Sequence, residues 1–158
     1  IWICETTPDS MRFSQIFDSV EVIALARLHL HACGEALTGG IDDARKLSTR
    51  LTPQLVVIDD WTPRIGQADK LAIKSIAELQ STLDSKCPIL IVSALYGDAS
   101  GEGEWKVRGQ AALDKISATT WLLTITSGGA GGVQKRILNV GDDEQYQLII
   151  GDDGFSSV

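Results

Sequence analysis

The sequence predicts an α/β protein, a doubly wound five-stranded parallel sheet with a β-rich C-terminal extension. Three observations predict it. In the stretch 55–63, LVVIDDWTP, four unbroken apolar residues run into two aspartates and a Thr-Pro stop. A short Leu/Val/Ile run without polar alternation reads as a strand buried on both faces, the habit of parallel sheets. Up to Ala94, such runs alternate with amphipathic stretches of helical period, the order that right-handed crossovers turn into a wound layer. Beyond Trp121 the pattern changes: LNVGDD at 138–143 and LIIGDD at 148–153 repeat at an offset of ten residues, which suits strand-turn-strand repetition.

The elements follow in order. Ile1 to Glu5 is a short strand ending in an acid, and Thr6 to Asp9 is a turn. Asp9 or Ser10 caps a helix with Met11, Ile16 and Phe17 as its apolar stripe, ending between Ser19 and Leu25. From Ala26 to Ala32 apolar and polar residues alternate strictly, as in a half-buried strand. Gly34 turns the chain into a helix that Thr38-Gly39-Gly40 interrupts and Asp42 to Leu51 resumes. Thr52-Pro53 introduces the central strand. Gln67 to Leu83 is the clearest amphipathic helix, with Leu71, Ile73, Ile76, Leu79 and Leu83 at helical spacing. Pro88 opens the strand Ile89 to Val92. Tyr96 to Glu104 is rich in glycine and acid and makes a poor helix. Ala111 to Leu113 is the fifth strand. Trp121 to Thr126 is β-branched and apolar, and Ser127 to Gly132 is a turn or link. Residues 1–116 thus form one domain, and 117–158 are a β-rich extension, too short to build a core alone, or the start of a following module. The sheet core expected from these runs comprises Ile1, Ile3, Leu55 to Ile58 and Ile89 to Val92.

Composition bounds the function. The chain has 158 residues, 44% hydrophobic and 22% charged, with 21 acidic against 14 basic residues and a formal charge of −7. That balance argues against a nucleic-acid face or an anionic membrane as the main partner. Three cysteines, Cys4, Cys33 and Cys87, form no CxxC and no even framework, which suits a reducing cytoplasm. No apolar run approaches the roughly 18 residues of a membrane span. The opening Ile-Trp-Ile-Cys has neither an initiator Met nor the basic start of a signal peptide, so the chain reads as a piece of a longer protein.

Four strand ends carry polar residues: Glu5, Asp59, Ser93 and Lys115. In a parallel sheet these ends converge at one edge, where ligands bind. The set resembles the receiver domain of two-component signalling proteins over about residues 1–116. LVVIDDWTP resembles that family's phosphoacceptor strand, with Asp59 as acceptor and Pro63 four residues on. PILIVSA resembles its Ser/Thr-Ala strand at Ser93-Ala94. Lys115 follows Ser93 by 22 residues, a spacing common in the family, and LHLHACGEAL resembles its second strand and helix start. The resemblance implies a signalling module partnered by a histidine kinase or another protein, compatible with a homodimer, and not an enzyme beyond self-phosphorylation from a phosphodonor. Asp59 would be nucleophile and metal ligand, with Glu5 and the Trp61 carbonyl completing an Mg²⁺ site. Ser93 and Lys115 would contact the phosphoryl oxygens.

The chain also departs from that pattern. Thr6 stands where the family has a second acid, so Mg²⁺ is expected to bind weakly and Asp59 to pair with Lys115. The family's aromatic switch falls on Ala112, its proline after the lysine is Ile116, and no fifth amphipathic helix follows. These changes point to an atypical, pseudo-receiver form. Other signals have other readings. His29, His31 and Cys33 share a strand face and offer metal ligands, or simply a polar edge. SGGAGGVQK resembles a phosphate loop without its Gly-Lys-Ser/Thr, so the second reading is the N-terminal part of a deviant P-loop localisation ATPase. A third is a ligand-free structural adaptor. The two Gly-Asp-Asp turns could hold Ca²⁺, though acid-glycine turns between strands are ordinary.

Overall fold

The computed structural model describes residues 1–62, 67–97, 105–128, 134–141 and 144–158. The chain divides into two units, residues 1–7 with 23–117, and residues 8–22 with 118–158.

The first unit is built on a four-stranded parallel sheet of β1 (Trp2–Cys4), β2 (Leu30–Ala32), β3 (Val56–Ile58) and β4 (Ile89–Ile91), in the order β2-β1-β3-β4. All three pairings are parallel. Helix α3 (Leu37–Ser48) links β2 to β3, and helix α4 (Lys70–Thr82) links β3 to β4. The two pack against each other. Right-handed crossovers in the same direction along the sheet put both on one face.

The register explains the core. Ile3 lies beside Ile58, and Ile58 beside Ile91. Ile3, Val56 and Ile58 are buried, as are Ile41 and Ala44 of α3 and Ala72, Ile76 and Leu79 of α4. The alternate residues line the other face, where Trp2 and Val57 are half-buried and Leu30, Leu90 and Val92 are exposed. Leu55 is exposed as well. Burial of the whole apolar run on both sides is therefore corrected to burial on the helical side, because successive side chains of a strand point to opposite faces.

Three further expectations change. Helix α3 runs without a break through Thr38-Gly39-Gly40. Gly40 is buried there, and an added Cβ would stand 2.8 Å from the Cβ of Cys33 and 3.2 Å from Ile3. The glycine lets helix and sheet approach rather than ending the helix. The second strand is three residues long, since Val22–Leu25 form a helical turn, α2, and Arg27 and Leu28 are bonded back to it through Ala24 and Leu25 carbonyls. The fifth strand is absent: Gln110–Leu113 form a short helix, α5, that tightens into a 3₁₀ turn at Asp114–Ile116. Gly109 precedes it at φ 77°, a left-handed entry that glycine adopts without penalty. Among the described residues the parallel sheet has four strands rather than the five expected. A two-stranded antiparallel pair, β5 (Leu95–Tyr96) with β6 (Lys106–Val107), stands before α5. Most of the acidic glycine-rich stretch, 98–104, lies outside the described residues.

The second unit contains helix α1 (Ser10–Phe17) and an antiparallel sheet of β7 (Trp121–Gly128), β8 (Gln134–Val140), β9 (Glu144–Gly151) and β10 (Gly154–Ser157), in the order β10-β9-β8-β7. Asp9 caps α1 by accepting from the Arg12 backbone N–H at 2.8 Å, as its sequence position suggests. The Arg12 guanidinium donates to the carbonyls of Gly151 and Asp152, both at 2.7 Å. It thereby ties the helix to the β9–β10 turn. Among the described residues, no helix is long and apolar enough to cross a membrane.

Candidate functional site

The carboxyl ends of β1, β3 and β4 converge at one edge of the parallel sheet. Asp59 follows β3 directly, and its backbone N–H donates to the Ile3 carbonyl at 2.8 Å. That bond continues the ladder and sets Asp59 on the face of Trp2 and Cys4. Its side chain is half-buried. Burial pushes the Asp59 carboxyl up, and the neighbouring Asp60 pushes it further; the Asp60 backbone N–H, 3.0 Å from Oδ1, works against both. The Trp2 indole N–H is buried without a partner in full hydrogen-bonding geometry. Its looser approach to Asp59 also favours the anion, but less than burial opposes it. The Cys4 thiol is pushed up by burial and by Asp59 beside it. Asp60 takes φ 52°, a left-handed conformation that Asp tolerates better than most residues.

Beyond Asp60 the chain turns inward. Trp61 and Thr62 are buried, and the Trp61 N–H reaches the Val92 carbonyl at 3.4 Å. A hydroxyl chain then joins two strand ends. The Ala94 N–H donates to Thr62 Oγ at 3.4 Å, Thr62 and Ser93 hydroxyls meet at 3.3 Å, and Ser93 Oγ donates to the Arg108 carbonyl at 3.1 Å. One assignment satisfies the set: Thr62 donates to Ser93, and Ser93 donates onward to Arg108. The Ser93 hydroxyl has two main-chain acceptors in reach, the Arg108 carbonyl at 3.1 Å and the Ala94 carbonyl at 3.4 Å. The ring of Trp61 lies against Gly109, where a Cβ would stand 2.8 Å from it.

Of the residues the sequence singles out, the fold brings Glu5, Asp59, Trp61 and Ser93 to one edge. Lys115 sits on the 3₁₀ turn after α5 instead of at the end of a fifth strand. The ion pairs among the described residues are Arg45–Asp42, Lys46–Asp43 and Lys74–Glu78, all within single helices. The expected Asp59–Lys115 pair is absent, because the segment meant to carry the lysine to the edge is helical. Thr62 is the polar residue that sequence reading passes over. The Thr-Pro after the aspartates reads as a stop, while its hydroxyl is the link between β3 and β4.

The donors for a metal here are Glu5, Asp59 and the Trp61 carbonyl. Glu5, which is exposed, lies one residue past the end of β1. Among the described residues, no three His, Cys, Asp or Glu side chains gather into a cation site. These residues do not fit a resident Mg²⁺ ion. His29, His31 and Cys33 do not gather either: Cys33 Sγ turns to the Cys4 carbonyl at 3.2 Å, beneath α3.

In SGGAGGVQK, Ser127 and Gly128 belong to β7, and Lys135 belongs to β8; residues 129–133 lie outside the described residues. A phosphate loop leads into a helix whose N-terminus meets the anion, and here the following element is a strand. Asp142-Asp143 also fall outside the described residues. No protein-family model matches the chain, and no curated protein matches it in sequence.

Proposed function

We propose that this chain is a receiver-like interaction module, in which Asp59 is a structural carboxylate and the output is a protein contact. The observation that carries the reading is the state of the strand-end edge. Asp59 is half-buried, burial pushes its carboxyl up, and among the described residues no ion pair reaches it. The Ser93 hydroxyl that would meet an incoming phosphoryl group already donates to a main-chain carbonyl. Phosphoryl transfer onto a carboxylate needs the charge on the phosphoryl oxygens neutralised, by a metal and by preorganised donors. The β2-β1-β3-β4 order with an acid after the central strand supports the receiver-like part. The edge supports the inactive part. The three free cysteines suit a cytoplasmic setting. A protein is the expected partner, and a histidine kinase is one only if Asp59 accepts phosphoryl groups.

The test is incubation with acetyl phosphate and Mg²⁺ followed by intact mass. The expected outcome is an unmodified chain. A stoichiometric phosphoryl adduct that disappears in Asp59→Asn would replace this reading with a working phosphorylation switch.

A further inference from the structure

The antiparallel sheet of the second unit has an apolar side that none of the described residues of that unit buries. Side chains alternate along a strand, so Trp121, Leu123 and Ile125 of β7 point the same way. They are 57%, 38% and 69% exposed. The register continues that side inward: Leu123 lies beside Leu138 of β8, and Leu138 beside Tyr146 of β9, which is 50% exposed. Among the described residues of this unit, none is buried. Sheets gain stability by packing a hydrophobic face against another layer, and contiguous apolar patches of several hundred Å² are unusual on a solvated monomer.

We propose that this face is a self-association surface, on which a second copy of the chain packs sheet against sheet. The occupant is chosen by charge. Two charged residues of this face flank the apolar row Leu123–Leu138–Tyr146. Arg136 lies two residues from Leu138 along β8. Glu144 lies two residues from Tyr146 along β9, at the opposite end. Rotating a second copy by half a turn about an axis along that row brings Arg136 of one copy to the Glu144 end of the other, one strand over. The reciprocal pair forms by symmetry, as an isologous interface requires. Sheets face each other across about 10 Å, a gap that the long arginine and a glutamate can bridge. Within one chain the two residues are separated by about 14 Å at standard strand rise and spacing, too far to pair. Leu123 and Tyr146 lie on the axis and meet their own copies, and Ile125 covers Trp121.

The area sets the strength. Three long strands and part of a fourth cover roughly 400 Å² per copy. A pair burying about 800 Å² lies below the standard interface, which makes the dimer weak and reversible rather than obligate.

The experiment is sedimentation of the full chain from about 1 µM to about 500 µM. The expected result is a concentration-dependent shift from monomer to dimer. Arg136→Glu and Glu144→Arg should each weaken association at least about tenfold, through like-charge contacts. An equimolar mixture of the two should associate about as well as the parent chain, because the mixed pair restores both Arg–Glu contacts. Ile125→Asp, on an exposed position with the fold checked by circular dichroism, should hold the chain monomeric. A chain that stays monomeric throughout overturns the proposal. So does a dimer indifferent to these variants, or a charge-reversed mixture that fails to recover.

Discussion

Asp59 is a carboxylate kept where its charge is disfavoured, and this has a consequence for stability. Burial raises its pKa in the folded chain above the unfolded value. Between those two values the folded state holds more protons, so this residue's contribution to stability falls as pH rises through the window. The penalty is absent below the unfolded carboxylate range and complete above the folded pKa. Asn in its place keeps an acceptor for the Asp60 N–H and removes the charge. Asp59→Asn is therefore expected to melt above the parent at neutral pH, with the two converging below about pH 4. Thermal unfolding across pH checks the direction. Thr62 gives the opposite case, a buried hydroxyl whose value lies in its partners. Thr62→Val keeps the shape but strips the Ala94 N–H of its acceptor and Ser93 of its donor. It should cost about 1–3 kcal/mol in denaturant unfolding. A change within error of zero would mean that this hydroxyl chain contributes nothing to joining β3 and β4.

Helix α3 shows how one element answers to two constraints. Two adjacent glycines weaken any helix, each by about 0.5–1 kcal/mol relative to alanine. They persist here for different reasons. Gly40 is packed against Cys33 and Ile3, while an added Cβ at Gly39 meets nothing within 4 Å. Gly39→Ala should therefore stabilise the chain by about 0.5–1 kcal/mol. Gly40→Ala should destabilise it by about 1–3 kcal/mol, because the clash is with a Cβ held by the backbone rather than the tip of a flexible side chain. Equilibrium unfolding of the pair separates propensity from packing, and equal effects would show that α3 lies further from the sheet. Helix α5 is the contrasting element. Ala111-Ala112-Leu113 is too short for periodicity to tell strand from helix, and its alanines favour the helix that forms.

For the whole molecule, every buried apolar residue among those described belongs to the first unit. Free energies of local opening follow buried apolar contact. Hydrogen exchange of the dilute chain should accordingly be slowest at β1, β3 and α3, around Ile3, Ile58 and Ile41. It should be markedly faster along β7 to β10. The reverse ranking would place the stable half of the molecule in the antiparallel sheet.

The sequence by itself determined the parallel α/β layer, the capped first helix, the strand-turn-strand repeat of the C-terminal piece and the position of Asp59 after the central strand. Each rests on local periodicity, capping or a chain stop, which a few neighbouring residues express. It left open what depends on residues far apart in the chain. Gly40 ends a helix or admits a strand depending on whether Cys33 and Ile3 lie beneath it. Leu55 and Leu90 look like core until layering decides which side of the sheet the helices cover. Thr62 reads as a stop signal until Ser93 and Ala94 arrive from another segment to bond it. Lys115 has a suggestive spacing from Ser93, but spacing along the chain says nothing about direction once the intervening segment coils into α5. Tertiary structure decided these points because close packing and hydrogen bonds act between atoms brought together in space, and the energies at stake there, about 1–3 kcal/mol each, exceed the tenths by which local propensities differ.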